Sequence, residues 1–200
     1  MTKRPPISAV ILAGGLGRRM AQADKGLLVL HGKPLVSWVL ERIIPQVDEA
    51  IISANRGIDQ YASLGCPVIS DTLTEFAGPL AGVQRGMLEA RHPLVLCVPC
   101  DMPFLPADLV TRLLAALDGS GADLAVPASG DDIHRALMLV RRDLAANLET
   151  FLAGGGRKVS QWQGGLKQVV VPFVEVDAFL NVNTPEQMQE VERRLVVPVT

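Results

Sequence analysis

Short runs rich in Val, Ile and Leu recur along the chain at Ile7–Ala13, Glu49–Ala54, Cys66–Ser70, Leu94–Pro99, Asp123–Pro127, Ala136–Val140 and Gln168–Phe173. Several lack the apolar–polar alternation of a half-exposed strand, which is the mark of strands covered on both faces. Between them, Leu35, Trp38, Val39 and Ile43 fall at helical spacing, as do Leu109, Val110, Leu113, Leu114 and Leu117. Pro34, Pro79 and Pro106 stand where a first helical turn tolerates proline. Thr184-Pro185-Glu186-Gln187 has the capping-box spacing of one more helix. Regular alternation of strand and helix predicts a three-layer α/β/α fold around a mostly parallel sheet.

Length and composition narrow the picture. With 200 residues, 48% of them hydrophobic, the chain can bury one sizeable core, and a single domain spanning 1–200 is expected. A net charge of −2 provides no broad basic surface, so neither nucleic acid nor an anionic membrane is an expected partner. The first apolar run ends in a glycine loop rather than a cleavage site, and no stretch approaches the ~20 apolar residues that span a bilayer. A soluble, cytoplasmic protein is expected. Three cysteines fit a reducing compartment. The Cys97-x-x-Cys100 pair has no second ligand pair for zinc, and it reads as two buried small side chains.

Ligands of open α/β sheets bind beyond the carboxyl ends of the strands. Gly14-Gly15-Leu16-Gly17 follows the first run, Ser53-Ala54-Asn55 closes the second, Asp71 follows the third and Asp101 the fourth. Parallel strands would line these groups along one rim. The glycines let backbone N–H groups approach phosphate oxygens, and Arg18, Arg19 and Lys25 add positive charge. The loop is neither a Walker A motif nor a dinucleotide fingerprint, since Met20 stands where a third glycine or alanine belongs. Asp101 has no Lys or Arg within eight residues on either side. It reads as a hard oxygen ligand for Mg²⁺, with a turn aspartate before Pro103 as the alternative. Asp71 reads equally as a loop residue. Asn181 and Asn183 offer amide oxygens to a metal or a phosphate-bound water, or simply cap the helix that follows. His31, His92 and His134 read as surface or structural residues.

These residues fall into a known pattern. Val10-Ile11-Leu12-Ala13-Gly14-Gly15-Leu16-Gly17-Arg18-Arg19-Met20, followed by Asp24-Lys25-Gly26-Leu27-Leu28, resembles the signature of the molybdenum cofactor guanylyltransferases, the MobA family. The likeness continues through Gly32-Lys33-Pro34-Leu35, Ala54-Asn55-Arg56, Asp71, Gly78-Pro79-Leu80-Ala81-Gly82, Pro99-Cys100-Asp101-Met102-Pro103 and Asn181-Val182-Asn183-Thr184-Pro185-Glu186. Two positions depart from it. Ser53 stands where the family often has Asn, and Arg135 follows His134 where the family often has Pro.

The resemblance implies a Rossmann-like nucleotidyltransferase fold and transfer of GMP from GTP to molybdenum-bound molybdopterin, with Mg²⁺ as cofactor and pyrophosphate as by-product. It implies nucleotide contacts from Leu12, Ala13, Gly14 and Gly15, phosphate contacts from Lys25 and Arg19, and nucleotide contacts from Asn55 and Asp71. Asp101 would bind both Mg²⁺ and GTP, and Asn181 and Asn183 would orient the second substrate or metal-bound water. Proteins of cofactor biosynthesis and the molybdoenzyme apoproteins that receive the product would be further partners. The rivals are a cytidylyltransferase, a sugar-1-phosphate nucleotidyltransferase and a regulatory protein that keeps the fold without the chemistry. Leu12-Ala13-Gly14-Gly15 and Arg18-Arg19-Met20 argue against the first two, and Asp101 with Lys25 against the third.

Overall fold

The computed structural model describes residues 4–14, 24–70 and 78–196. Its strands are β1 (Ile7–Leu12), β2 (Val29–Leu30), β3 (Lys33–Pro34), β4 (Glu49–Ser53), β5 (Val68–Ile69), β6 (Leu94–Pro99), β7 (Leu124–Ser129), β8 (Asp132–Ile133), β9 (Met138–Arg141) and β10 (Gln168–Phe173). The helices are α1 (Leu35–Ile43), α2 (Ile58–Ala62), α3 (Pro79–Glu89), α4 (Leu109–Ser120), α5 (Ala145–Ala153), α6 (Val159–Gly164) and α7 (Pro185–Val196).

The main sheet runs β10-β7-β9-β6-β1-β4-β5, with β8 paired to the outer part of β7. β1 lies parallel between β4 and β6, β5 is parallel to β4, and β10 is parallel to β7. β9 and the short β8 run antiparallel to their neighbours, so the sheet is mostly parallel. Side chains leave the sheet on both faces. Ile7, Ala9 and Ile11 of β1 join Val36, Val39 and Ile43 of α1 and Leu109, Leu113 and Leu117 of α4 on one side. Val10 joins Leu80, Val83 and Met87 of α3, Leu148 and Leu152 of α5 and Trp162 of α6 on the other. Ile7, Val10 and Ile11 are fully buried, each stabilising the fold by about 1.5–3 kcal/mol.

α3 lies close against β1 because Gly82 and Gly86 present no side chain to it. A Cβ on Gly86 would stand 2.5 Å from both Val10 methyl carbons, and one on Gly82 would stand 2.8 Å from Ser53 Oγ. Ser53 therefore packs closely against α3.

Three local features differ from the sequence pattern. β2 and β3 form a hairpin turned by His31 and Gly32, both at positive φ, and β8 adds two exposed residues; strands of two residues carry no readable periodicity. Only Val68 and Ile69 of the Cys66–Ser70 run form a strand, since Pro67 has no N–H to donate. Pro34, which ends β3 and precedes α1, and Pro106, which lies before α4, both stand outside a first helical turn. Gln46, 64 positions upstream of Val110, caps that helix by accepting the Val110 N–H at 3.0 Å and donating to the Pro106 carbonyl at 2.9 Å.

A third, smaller core fixes the last helix. Val182, Met188 and Val191 pack with Leu30, Leu35, Trp38 and Phe104, which seats α7 and the segment before it on the β2–β3 hairpin and α1. No helix among the described residues is long and apolar enough to cross a membrane.

Candidate active site

The parallel order of β1, β4, β5 and β6 sets their carboxyl ends along one rim, and the candidate residues follow those ends. The ends are tied laterally. Leu12 accepts the Cys100 N–H at 3.2 Å, Ala13 donates to the Ser53 carbonyl at 2.8 Å, and Ala54 donates to Ile69 at 2.9 Å. The Leu12 carbonyl and the Ala13 N–H are thus committed to the sheet, and Gly14 is the first exposed residue of the loop. A Cβ on Gly14 would stand 3.7 Å from Asn55 Nδ2, so the Asn55 amide borders the glycine at the rim. Gly15, Arg18, Arg19 and Asp71 lie outside the described residues.

Lys25 follows β1 by 13 positions, yet its ammonium reaches across the rim. It donates to Asp101 Oδ2 and to Asn183 Oδ1, joining segments 76 and 158 residues apart. Asp101 lies in the turn after β6 and is 8% exposed. Its backbone carbonyl accepts the Val182 N–H at 3.0 Å, which brings Asn181 and Asn183 to either side of that anchor. The α7 cap completes the arrangement. Thr184 Oγ1 accepts the Gln187 N–H at 3.2 Å, while Gln187 Oε1 accepts the N–H of Asn183, not of Thr184, at 2.7 Å. Neither asparagine side chain caps the helix: the cap oxygens come from Thr184 and Gln187, and the Asn183 side chain accepts from Lys25.

Two buried oxygens at this junction have no hydrogen-bond partner among the described residues, Asp101 Oδ1 and Asn181 Oδ1. An unsatisfied buried oxygen costs about 1–3 kcal/mol, and such atoms in a native fold call for a ligand or a water. One carboxylate oxygen and one amide oxygen are hard donors suited to a divalent cation that draws its remaining ligands from water and phosphate. No group of three or more His, Cys, Asp or Glu capable of holding a metal occurs among the described residues.

Lys25 is flanked by a second polar contact. Tyr61 of α2, the chain's single tyrosine, is fully buried and its hydroxyl donates to Asp24 Oδ1. Burial pushes the Asp24 carboxyl above its usual range, opposed by the Tyr61 bond, the Gly26 N–H and the nearby Arg56. Burial also pushes the Cys100 thiol upward, with Asp101 adding to the effect and Lys25 opposing it. Cys97, inside β6, is raised to about 12 by burial. Both cysteines are free, and both thiols are held in the unreactive protonated form.

The far side of the rim is built around His134. Its ring stacks on Phe179 at 4.7 Å and 11°, and Nε2 lies 2.8 Å from Ser129 Oγ. Burial lowers its pKa, opposed by Asp132. Phe179 closes the 3-10 turn two residues before Asn181, so His134 buttresses the asparagine segment. Arg135 turns to Gln163 Oε1 at 3.3 Å and Gln168 Oε1 at 3.5 Å.

A glycine-edged rim with a lysine, a carboxylate and amide oxygens has the chemistry to receive phosphate and a cation, and comparison with known proteins identifies the chain's lineage. A family model described as the MobA-like NTP transferase domain matches residues 9–169. The chain belongs to the MobA-like NTP transferase family. It is a nucleotidyltransferase. Curated relatives of this MobA-like chain include a Burkholderia ambifaria protein named molybdenum cofactor guanylyltransferase, 47% identical, with 95% of this chain and 97% of that protein covered. A protein of the same name from a Shewanella species is 46% identical, with 92% and 93% covered. The MobA-like fold is shared with a solved structure, the molybdopterin-guanine dinucleotide biosynthesis protein A of Archaeoglobus fulgidus. It is 24% identical with a TM-score of 0.78, covering 94% of this chain and 98% of that one.

Tyr61, Val182 and Gln187 join Lys25, Asp101 and the asparagines in the structure without having stood out as site residues in the sequence. Gln187 was visible as a capping residue. A single tyrosine at a helix position reads as core, and nothing local marks it as a partner of Asp24.

Proposed function

We propose that this chain, acting as one nucleotidyltransferase unit over residues 1–200, transfers GMP from GTP to molybdenum-bound molybdopterin in the cytoplasm. The observation that carries the chemistry is the convergence of Lys25, Asp101 and Asn183 beside the unpartnered oxygens of Asp101 and Asn181. The choice of guanine and of the pterin acceptor is supported by the near-full-length relatives at 46–47% identity.

The acceptor's terminal phosphate is ionised at neutral pH, with a second pKa near 6, so the rim needs no strong general base. One of its oxygens attacks the α-phosphorus of GTP. A bond forms between them, the bond from that phosphorus to the β-phosphate oxygen breaks, and pyrophosphate leaves with the electron pair. The obstacle is the approach of two anions, which positioning and charge neutralisation overcome. Lys25 exchanges Asp101 for phosphate oxygens and carries positive charge to the departing pyrophosphate. Gly14 leaves room for the nucleotide to approach the backbone, and Asn55 beside it offers an amide. Gly15 and Arg19 act in the same cradle, Leu12 and Ala13 set its base, and Asp71 holds the nucleotide. Asp101 and Asn181 would hold Mg²⁺, which would supply neutralisation of phosphate charge and polarisation of the α-phosphate. Asn183 orients the acceptor. Proteins of cofactor biosynthesis and molybdoenzyme apoproteins supply the acceptor and receive the product.

The test is pyrophosphate release with molybdopterin and each of GTP, CTP, ATP and UTP. GTP should be preferred, and Asp101→Asn should retain the fold while losing about 100-fold or more in turnover. Preference for CTP, or near-normal turnover in Asp101→Asn, would overturn the assignment.

A further inference from the structure

Lys25 carries the proposed chemistry, but its backbone lies in a three-residue 3-10 turn, Lys25–Leu27. So short a turn cannot fix a long side chain by itself. What grips it is the segment from Gly57 to Tyr61. The Tyr61 side chain is fully buried, a place where phenylalanine would fill nearly the same volume without a polar group to satisfy. The hydroxyl is spent on Asp24 Oδ1, the residue immediately before Lys25. The same hydroxyl occupies the space where a Gly26 side chain would be, with Cys100 Sγ 3.3 Å from that position. At the other end of the grip, Gly57 has φ +56° and lies against Leu27 and Asp24. A Cβ there would meet Leu27 Cδ1 at 2.7 Å and Asp24 Oδ2 at 3.4 Å. The two ends are joined by the Tyr61 N–H donating to the Gly57 carbonyl at 3.0 Å. Residues before and after Lys25 are thus each held by α2 and its preceding glycine, while Lys25 alone reaches outward to the rim.

We propose that Tyr61 is a positioning residue for the reaction: its hydroxyl, through Asp24, sets the place from which Lys25 reaches the phosphates. It touches no substrate. The α2 segment serves as a clamp on the lysine turn, and Asp24 is the link between clamp and lysine. The role given to Lys25 rests on the proposed nucleotidyl transfer; the clamp itself rests on the geometry.

Two readouts on Tyr61→Phe separate these. Hydrogen exchange reads the clamp without any nucleotide. Losing a hydrogen bond to a carboxylate should speed amide exchange at Gly26–Leu28 about tenfold, with the strands unchanged. Asp24→Ala should give the same local pattern. Unchanged exchange in that turn overturns the proposal, whatever the enzyme does. Calorimetric titration with GTP and magnesium reads the consequence. Tyr61→Phe should weaken GTP binding about five- to tenfold when Lys25 is present, and not at all when added to Lys25→Ala. An equal loss in both backgrounds means that Tyr61 acts through general stability and overturns the positioning role. Absence of GTP binding by the unmodified chain refutes the nucleotide reading instead, and leaves the exchange result to decide the clamp.

Discussion

Replacing Lys25 by methionine keeps the length of the side chain and removes the ammonium that Asp101 and Asn183 share. The side chains of Lys25 and Asp101 are 15% and 11% exposed, so the pair is largely withdrawn from water. Removing one member of a buried pair typically costs about 3–5 kcal/mol, because the other charge is left without compensation. Residual exposure at an open rim reduces this, and about 2–3 kcal/mol is the expected loss at neutral pH with divalent ions chelated. For a chain of this size the melting temperature should fall by roughly 4–12 °C. Magnesium should reverse the loss. In Lys25→Met the Asp101 carboxylate and the Asn181 oxygen face no competing cation among the described residues, and a ligand at about a hundredfold over its Kd stabilises by about 2.7 kcal/mol. The unmodified chain should respond less, since its own ammonium already neutralises Asp101. Thermal unfolding followed by circular dichroism, from chelator to millimolar magnesium, checks both halves. An unchanged melting temperature in chelator refutes the energetic role of the pair. Equal magnesium responses in the two proteins refute the claim that lysine and metal serve the same carboxylate.

Two further outcomes follow from packing and charge. Gly86→Ala should gain about 1 kcal/mol in helix propensity but lose about 1–3 kcal/mol from overpacking against buried Val10. Urea unfolding should show a net loss, and adding Val10→Ala should cost less than the sum of the single changes. Glu49, whose side chain is 7% exposed, is raised by burial but lowered further by bonds from Ser8 and Arg91, leaving its pKa below the ordinary range. Its stabilising contribution is therefore complete above the unfolded value of about 4.3 and lost as pH falls through the lower folded value. Glu49→Gln should flatten that part of the acid unfolding profile, and an unchanged acid limb would contradict the assignment.

The parts of the fold that could be read from the chain were those in which side-chain pattern and burial coincide. β1 and β6 matched to within a residue because both faces of each strand are covered. The hairpin of β2 and β3 and the two residues of β8 are too short for periodicity to exist. Gln46 caps α4 from 64 positions away, and no local rule connects them. The rim was legible because parallel strands place their carboxyl ends together, and Asp101 stood out as a lone carboxylate in an apolar stretch. The contact of Lys25 with Asn183 was not, since it depends on how α7 docks. Nor was the orientation of Ser53, set by the missing side chain of Gly82. Gly15, Arg19 and Asp71 lie outside the described residues, so for them the sequence is the whole of the argument.

The anchoring of Asn181–Asn183 to Asp101 and Lys25 has a consequence for the timing of assembly. Every strand of the sheet precedes that segment in the sequence. During synthesis the rim can therefore form before Asn181 and Asn183 reach Asp101 and Lys25, and on the proposed function a nascent chain whose sheet has emerged should hold nucleotide weakly. Competence arrives when the third small core closes over Val182 and draws the asparagines in. Loosening that core, far from any phosphate, would silence the enzyme by leaving it a finished scaffold with an unfinished site.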